Sequence, residues 1–322
     1  MILVTGGAGY IGSHTVLALM EDGYNVYVID NFSNSDEKVL EELHKLTTRG
    51  KLIGFEKIDI TRIEELRKLF QMQGIKGVIH LAGCKDTVSS MTNYDDYYFN
   101  NIFGTRNIVK VMKEFDVNKL VFSSSCSIYK ENINPVVEID RILPKSIYAR
   151  TKLDCEQLIQ DYEMDHIILR YFNVVGCNKL LRPLIKPNEN VLNKIIKSCT
   201  SNTPFVIYGK YDGSIDGSHV RDYVNVEDVA RANVSALEKV NCMPTTCNIC
   251  TGTGTTVKHL ITLVNRVTGK SGYVLQGNDS DYYIKSSIGC NSKARDLLKW
   301  TPTKGLRESI EQQYEWVKEW QK

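Results

Sequence analysis

Short apolar runs rich in β-branched residues alternate with longer helical stretches through the first 170 residues of this chain. The runs are residues 2–5, 25–29, 52–58, 77–81, 120–123 and 167–170. Several are apolar at nearly every position, which is typical of parallel strands that helices cover on both faces. The helical stretches are residues 10–22, 36–48, 61–72, 94–115 and 147–162. The alternation predicts an α/β fold with a doubly wound parallel sheet.

The pattern changes after residue 170, where Pro, Asn and Gly become frequent and the apolar runs become isolated. The chain has 322 residues, about twice the roughly 100–200 residues of a usual domain. We therefore predict a sheet domain over residues 1–170 and a smaller mixed C-terminal lobe over residues 171–322. We expect the lobe to be partly interleaved with the sheet domain.

Charge and composition restrict the class of partner. Forty Lys and Arg residues nearly balance 38 Asp and Glu residues, which argues against nucleic acid and membrane surfaces as partners. No apolar run reaches the 18 or so residues of a membrane span. Nine cysteines, an odd number, indicate reduced thiols, and a strand at the start of the chain leaves no room for a secretion leader. We expect a cytoplasmic protein.

A glycine-rich turn joins the first predicted strand to the first helix. Residues 5–12 read TGGAGYIG, with glycines at Gly6, Gly9 and Gly12. This spacing permits a tight turn, close approach of a pyrophosphate to the backbone, and close helix–strand packing. Asp30 ends the second strand 18 residues later, near the position of the carboxylate that binds adenosine ribose. The turn predicts a Rossmann site for NAD, because this carboxylate repels the 2′-phosphate of NADP.

A tyrosine and a lysine at helical spacing suggest acid–base chemistry. Residues 148–152 read YARTK, so Tyr148 and Lys152 share one helix face. Lys152 and the cation of an oxidised nicotinamide would lower the pKa of Tyr148 from about 10 towards neutrality. The run Val121 to Cys126 ends a predicted strand upstream, where doubly wound sheets bind ligands. Serines at a strand end often cap a turn, which explains Ser123 or Ser124 better than Ser125.

The glycine turn and the YxxxK motif together resemble the extended short-chain dehydrogenase/reductase family. Further segments resemble its UDP-glucose/UDP-galactose 4-epimerases over nearly the whole chain. They are GGAGYIGSHT (6–15), DNFSNS (30–35), HLAGCK (80–85), Asn100 before Gly104 and Thr105, RYFN (170–173) and DGSHVRDY (216–223). The resemblance implies an NAD-dependent epimerase that forms a transient 4-keto sugar.

The resemblance also implies roles for individual residues. It assigns Tyr148, Lys152 and Ser125 to catalysis. For NAD it implies Gly6, Gly9, Tyr10, Ile11, Gly12, Asp30, Asn31, Ser33, Asn34, Ser35, Asp59, Ile60, Leu81, Ala82, Gly83, Lys85, Asn100, Ser125, Tyr148, Lys152 and Phe172. For the UDP-sugar it implies Ser125, Tyr148, Asn173, Asn190, Val191, Tyr208 and Arg221. Arg221 suits a diphosphate because a guanidinium binds it bidentately; a salt bridge with nearby acids is the alternative.

The chain departs from the family pattern on the sugar side. Ser280–Tyr283 stands where the family has an arginine for the diphosphate, so either the affinity is weaker or Lys285 or another cation compensates. Ser287 aligns with a position where a bulky residue excludes N-acetylated sugars, so we expect UDP-N-acetylhexosamines to be accepted as well. The alternatives are a nucleotide-sugar 4,6-dehydratase, a 4-epimerase of another UDP-sugar, and a non-catalytic NAD(H)-sensing protein. Cys126 and Ser127 replace the carboxylates that a dehydratase needs.

Two further features bear on metals and assembly. The spacing of Cys242, Cys247 and Cys250 suggests zinc, but no fourth ligand is evident, so we predict no metal. The helices over 94–115 and 147–162 correspond to the pair that forms the family's dimer interface. Ile102, Ile108, Val109 and Met112 provide apolar surface there, although burial within one subunit explains them equally well. We expect a homodimer.

Overall fold

Seven strands form one parallel sheet in the computed structural model of the chain, which describes residues 1–131, 134–201, 203–241, 244–279 and 284–321. All strands of the described residues, in this sheet and outside it, are β1 (Ile2–Thr5), β2 (Val26–Asp30), β3 (Leu52–Lys57), β4 (Gly77–His80), β5 (Lys119–Ser125), β6 (Asp165–Tyr171), β7 (Asn173–Val175), β8 (Phe205–Tyr208), β9 (Val220–Asn225), β10 (Thr245–Ile249), β11 (Gly254–Thr256), β12 (Val274–Gly277) and β13 (Ser286–Ser287). The sheet order is β10-β6-β5-β4-β1-β2-β3. The predicted doubly wound parallel sheet is confirmed, and its strand order reverses between β1 and β4.

Helices cover both faces of this sheet. The α-helices of the described residues, including those that pack elsewhere, are α1 (Tyr10–Glu21), α2 (Lys38–Lys45), α3 (Ile63–Gln73), α4 (Thr87–Ser90), α5 (Tyr94–Tyr97), α6 (Gly104–Glu114), α7 (Ile147–Asp161), α8 (Val191–Thr200), α9 (Val226–Lys239), α10 (Val257–Thr268), α11 (Ser292–Leu298) and α12 (Leu306–Glu319). One buried cluster joins α1, α2 and α9 to one face of the sheet, and a second joins α3, α6 and α7 to the other. None of these helices is long and apolar enough to cross a membrane.

The structure changes two predicted elements that bear on the site. The helix predicted over 94–115 is three segments, because a π-helical segment, Tyr98–Phe103, separates α5 from α6. The strand predicted over 120–123 extends to Ser125, because β5 pairs with β6 as far as Ser125 opposite Tyr171. Ser123 and Ser124 therefore lie in a strand, and their interpretation as turn caps is wrong.

The later part of the chain forms a second layer against the carboxyl ends of the sheet strands. β9 pairs with β7, β11 and β13, while β8 pairs with β12, and α8, α10 and α12 share their own buried cluster. The chain also returns to the main sheet, where β10 pairs with β6 and α9 packs beside α1. The predicted division at residue 170 therefore does not coincide with the end of the sheet.

Candidate active site

The glycine turn after β1 has the close contacts that its spacing predicts. Gly6 has a φ of +69°, and a Cβ there would lie 2.8 Å from the backbone of Ala82, which follows β4. A Cβ on Gly12 would lie 2.0 Å from the Gly6 carbonyl oxygen. Gly9 caps α1 and has no side chain with which to accept a bond from the first turn. The turn therefore directs helix N–H groups and a positive dipole end towards any bound anion.

Asp30 ends β2 beside this turn and is 9% exposed. Its Oδ2 accepts a hydrogen bond from the Ala8 amide at 3.0 Å. Its Oδ1 accepts from the Phe32 amide at 2.9 Å and from Ser35 Oγ at 3.0 Å. A carboxylate offers about four acceptor sites, so one remains for a hydroxyl group of a ligand. Within the predicted loop, Ser33 and Asn34 are exposed and Ser35 is half-buried.

Asp59, at the end of the neighbouring strand, is tied to the same region. It accepts from Asn31 Nδ2 at 3.0 Å and from Thr61 Oγ1 at 2.7 Å. Partial burial opposes ionisation of Asp59, but these hydrogen bonds outweigh it and the pKa lies below its usual value. The side chains of Ile60 and Tyr10 lie in the core instead, where Tyr10 donates to the Gly176 carbonyl at 2.5 Å. Only their backbone groups are placed to meet a cofactor.

The loop after β4 is anchored through buried hydroxyl groups. Thr5 Oγ1 accepts from the amides of Leu81 and Ala82 at 3.2 Å and lies 2.6 Å from His80 Nδ1. His80 Nε2 lies 3.0 Å from Thr105 Oγ1, and burial lowers the pKa of His80 to about 3. The histidine is therefore a structural residue that holds Leu81, Ala82 and the exposed Gly83 in place.

Lys85 belongs to the same loop and faces the glycine turn across the cleft. Its Nζ lies 5.9 Å from the centroid of the Tyr10 ring. The side chain is exposed, yet protein atoms surround the ammonium group closely enough to lower its pKa. Lys85 therefore places a positive charge near the glycine turn.

The π-helical segment carries a residue that the sequence interpretation missed. Asn101, next to the predicted Asn100, accepts from the Cys84 amide at 2.8 Å and donates to Thr151 Oγ1 at 2.9 Å. It thereby joins the loop after β4 to α7, whereas Asn100 is half-buried and its side chain has no hydrogen bond within the described residues. The neighbouring pair of asparagines was the available signal, and π-helical segments occur frequently at functional sites.

The three predicted catalytic residues meet at the carboxyl end of β5. Ser146 caps α7 by accepting from the Ala149 amide at 3.2 Å, so the helix begins one residue before Tyr148. Lys152, 6% exposed, donates to the Ser123 carbonyl at 2.9 Å. Ser125 hydrogen-bonds with Tyr148 and lies 2.9 Å, oxygen to oxygen, from Ser127. The predicted juxtaposition is present.

The electrostatics of the chain by itself are set by burial. Burial raises the pKa of Tyr148 to about 12, and the hydrogen bond with Ser125 opposes this only in part. The ammonium of Lys152 is directed to the Ser123 carbonyl, and burial lowers the pKa of Lys152. The expectation that Lys152 and the cation of an oxidised nicotinamide together lower the pKa of Tyr148 concerns the protein with NAD bound, so it stays a prediction.

β9 presents a half-buried cation that has no acidic partner among the described residues. Arg221 donates from Nη1 to the Val220 carbonyl at 2.8 Å and to the Lys285 carbonyl at 3.3 Å. Among the described residues no carboxylate lies within ion-pairing distance of it, and burial lowers its pKa. The alternative of a salt bridge with nearby acids therefore does not hold within these residues.

Tyr223, two residues further along β9, was not among the predicted site residues. It is 4% exposed, and its hydroxyl has no hydrogen-bond partner among the described residues. The charge of Arg221 lowers the pKa of this phenol against the larger raising effect of burial, so the two groups are close. A buried hydroxyl without a partner is costly, which marks this face as one that a polar ligand would complete.

The remaining sugar-side residues are placed around β9 with different degrees of freedom. Asn173 donates to the Asp222 carbonyl at 3.4 Å. Asn190 caps α8 by accepting from the Asn193 amide at 2.8 Å and also accepts from Gln313, so its side chain is committed to the fold. Val191 begins α8, and Tyr208 is 47% exposed at the end of β8. Phe172 is buried with Ile128, Tyr129, Val136 and Cys250.

Two predictions fall wholly or partly outside the described residues. Ser280–Tyr283 lie outside them, while Lys285 Nζ lies 3.2 Å from Asp279 Oδ2 and so already has an acidic partner. Cys242 also lies outside them. Cys247 and Cys250 belong to different buried clusters, and the described residues contain no group of three metal-ligating side chains.

Comparisons with known proteins agree with this geometry. A model of the NAD dependent epimerase/dehydratase family matches residues 2–250. The chain is 34% identical to UDP-glucose 4-epimerase 2 of Arabidopsis thaliana over 98% of its own length and 94% of that protein. It is 35% identical to the bifunctional protein GAL10 of Kluyveromyces lactis, of which it spans about half, 48%. The fold is similar to that of UDP-glucose-4-epimerase from Stenotrophomonas maltophila, which was solved with bound NAD and formylated UDP-arabinopyranose. The TM-score is 0.92, and the two sequences are 31% identical over 99% of this chain and 98% of the other.

Proposed function

This chain belongs to the NAD dependent epimerase/dehydratase family, and we propose that it is an NAD-dependent 4-epimerase that interconverts UDP-glucose and UDP-galactose. One observation carries the proposal. The proton-transfer group Tyr148, with Ser125 and Lys152, lies near Arg221, a cation without an acidic partner among the described residues, because Ser287 pairs with Arg221 and its Oγ lies 3.4 Å from Sγ of Cys126, which follows Ser125. This places acid–base chemistry beside a site for a diphosphate, as a nucleotide sugar requires.

The cofactor site is the cleft between the glycine turn and the loop after β4. Gly9 and the first turn of α1 would hold the pyrophosphate, and the free acceptor site of Asp30 would hold an adenosine ribose hydroxyl. Absence of a Cβ at Gly12 and Gly6 leaves this cradle open. NAD, when bound there, would take up the hydride of the sugar C4 and return it.

The chain's own residues then transfer the proton of the sugar C4 hydroxyl. Tyr148 takes the proton of the C4 hydroxyl and later returns it, while Ser125 hydrogen-bonds the same oxygen. Because burial keeps the phenol neutral at ordinary pH, Tyr148 must lose its own proton to solvent before it can accept the proton of the sugar, and positive charge nearby favours that loss. In this proposal Lys152, one turn along the same face of α7, and the cation of oxidised NAD would together supply this charge. Inversion at C4 requires the 4-keto sugar to present its other face, so the residues grip the diphosphate rather than the hexose.

Arg221 is the residue that would hold the diphosphate. A half-buried guanidinium that, among the described residues, is paired only with carbonyl groups is ready to bind a diphosphate bidentately. The buried hydroxyl of Tyr223 on the same strand would complete its hydrogen bonding there. These features favour an epimerase over an NAD(H)-sensing protein, which has no need for a diphosphate site opposite the phenol.

We infer that the sugar pocket also admits N-acetylated hexoses. Ser287 on β13 lies beside Arg221 in the strand register, and its Oγ lies 3.4 Å from Cys126 Sγ. Both side chains are small and half-buried, which leaves room for a substituent at C2. Ser287→Tyr should abolish turnover of UDP-N-acetylglucosamine while it spares UDP-glucose. Equal loss of both substrates, or no turnover of the acetylated sugar by the wild type, would contradict this.

A panel of nucleotide sugars with separation of the products tests the main proposal. UDP-galactose incubated with the protein alone should yield UDP-glucose without added reductant. A lasting 4-keto-6-deoxy sugar would instead identify a dehydratase. No turnover of any nucleotide sugar, with NAD bound, would favour a sensor.

We infer a homodimer from the predicted helical region over 94–115, although from other residues than the sequence suggested. Ile102, Ile108, Val109 and Met112 are all buried within the subunit. Next to them, four exposed aromatic side chains form two stacked pairs, Tyr94–Tyr98 and Phe99–Phe103, with ring centroids 5.9 and 5.1 Å apart. A second copy of the chain would cover this apolar stripe. Light scattering should give a dimer that Phe99→Glu converts to monomer, while Ile215→Glu, at another exposed apolar residue, should leave it intact.

We infer a cytoplasmic location from the cysteines. All eight cysteines of the described residues are free, and five of them are buried. Unpaired thiols persist in a reducing compartment. Fractionation of cells that produce the protein should place it with cytoplasmic markers, and its recovery outside the cell would contradict this.

A further inference from the structure

A buried ion pair lies directly behind the catalytic residues and takes no part in the proton transfer described above. Arg170 donates from Nη2 to Glu156 Oε2 at 2.7 Å and from Nε to Oε1 at 3.0 Å. The two side chains are only 5% and 3% exposed. Removing both charges from water is costly, and apolar replacements for such pairs are often at least as stable. Stability alone therefore does not explain this pair.

Glu156 belongs to the same helix face as the two catalytic residues of α7. Tyr148, Lys152 and Glu156 are spaced at i, i+4 and i+8, which brings them to one side of the helix. Each contacts one of three consecutive residues of β5. Lys152 donates to the Ser123 carbonyl at 2.9 Å, Ser124 donates its hydroxyl to Glu156, and Ser125 hydrogen-bonds with Tyr148.

Arg170 anchors the carboxylate from the neighbouring strand. It lies opposite Ser124 in the β5–β6 register. Its remaining donor, Nη1, bonds to Tyr129 Oη at 2.8 Å and to the Glu138 carbonyl at 3.0 Å. Tyr129 in turn donates to Asn248 on β10 at 2.7 Å. Three adjacent strands and α7 are thus joined through one carboxylate.

We propose that Glu156 is a positioning residue for the reaction, which holds the Ser123–Ser125 segment in register with Tyr148 and Lys152. The proposal rests on the proposed function, because the geometry it protects is that of the proton transfer. Displacement of reacting groups by about 1 Å can cost about 100-fold in rate. The carboxylate also opposes, although less than other groups do, the lowering of the Lys152 pKa that burial causes.

Two variants separate the parts of this network. Ser124→Ala removes the bond to Glu156 but keeps the ion pair with Arg170. Glu156→Gln keeps the shape but removes the charge. Both should lower kcat by roughly 10- to 100-fold and leave KM nearly unchanged, because the diphosphate grip on β9 is remote. Ser124→Thr, which retains the hydroxyl, should restore most of the activity.

A pH profile of kcat distinguishes positioning from loss of stability. The acidic limb of this profile reports the pKa of the Tyr148 phenol. In both variants it should move to higher pH, because Ser125 and Lys152 are no longer held in their positions beside the phenol. The matched control is Ile159→Ala, which truncates a fully buried side chain of the same helix. It should lower the melting temperature and leave the pH profile in place. If Glu156→Gln does not fold, Ser124→Ala alone decides the outcome.

The wild type in the same assay separates the two possible failures. A wild type that turns over no UDP-sugar contradicts the proposed function. An active wild type, together with Ser124→Ala and Glu156→Gln of unchanged kcat and pH profile, overturns the role of Glu156. The same conclusion follows if activity falls only in proportion to the unfolded fraction, as in Ile159→Ala.

Discussion

The two walls of the cleft satisfy their polar groups differently. On the sheet side, His80 lies between two hydroxyl groups and Lys152 donates to a strand carbonyl. On the β9 side, Arg221 is paired only with carbonyl groups, and among the described residues the Tyr223 hydroxyl has no partner. The sheet wall is organised before any ligand arrives, whereas the β9 wall is completed by one.

This difference assigns a separate task to each wall. Groups already held in place can act on a reacting atom without further reorganisation. Donors left without partners bind a ligand of opposite charge tightly, because binding removes the penalty of burying them. We therefore expect changes on the sheet wall to affect kcat and changes on the β9 wall to affect KM.

The largest effect is expected for Tyr148→Phe. Removing the hydroxyl should lower kcat by about 10²- to 10⁴-fold, because Ser125 and Lys152 cannot take up the proton in its place. Bound NAD should remain, since the glycine turn and Asp30 are unchanged. Product separation and the absorbance of the purified protein measure these two quantities. Turnover at the wild-type rate would remove the acid–base assignment.

The next effect tests the opposite wall. Arg221→Met should raise KM for UDP-galactose by roughly 10- to 100-fold, because a charged hydrogen bond contributes about 1.5–3 kcal/mol, and should change kcat much less. Lys285→Met is the matched control, since Lys285 is already paired with Asp279. A larger effect at Lys285 would show that this lysine replaces the family's missing arginine.

Acid should lower the free energy of unfolding through two buried histidines, His80 on the sheet side and His14 on α1. Burial lowers the pKa of His80 to about 3 and that of His14 to about 4. The unfolded chain binds these protons near pH 6.5 and the folded chain does not. Stability from this source is therefore complete above about pH 6.5 and declines towards pH 4 by about 1.4 kcal/mol per pH unit for each histidine.

Urea unfolding at pH 7 and pH 5 measures that slope. His14→Gln should remove the part of this pH dependence that comes from His14, whose Nε2 accepts from the Asn178 amide at 2.9 Å. A free energy of unfolding with the same pH dependence in wild type and variant would show that His14 is not the source.

The smallest effect is expected for Tyr223→Phe, which tests directly whether the β9 side is completed by a ligand. Tyr223→Phe removes a buried hydroxyl that has no partner within the described residues. The unliganded protein should keep its stability or gain up to about 1 kcal/mol, while the affinity for UDP should fall. Calorimetric titration with UDP and thermal unfolding measure the two changes. A loss of stability without a loss of affinity would show that the hydroxyl serves the fold.

Much of the cofactor side was predictable because its signals are local. The glycine turn lies within eight residues, Asp30 follows at a regular distance, and Tyr148 and Lys152 are one helical turn apart. Side-chain direction was less accessible. Tyr10, Ile60 and Phe172 were assigned to the cofactor, and the structure directs all three side chains into the core. A motif locates a backbone position but does not say which way its side chain points.

Residues that act through distant contacts were not predictable. Asn101 depends on a π-helical segment that shifts the register of an otherwise regular helix. The ion pair of Glu156 and Arg170 joins residues that are 14 apart, with no periodicity to relate them. Their spacing resembles that of ordinary surface charges, so only burial distinguishes them.

The amino-acid sequence by itself determined the doubly wound sheet, the cofactor turn and the proximity of the proposed catalytic side chains Tyr148 and Lys152. Each depends on short-range periodicity, backbone freedom or intrinsic chemistry. Only the tertiary structure decided that Arg221 lacks an acidic partner among the described residues and that burial raises the pKa of Tyr148 to about 12. Ion pairing and desolvation depend on which distant groups approach and how much water they exclude, and neither quantity is encoded at one position of the chain.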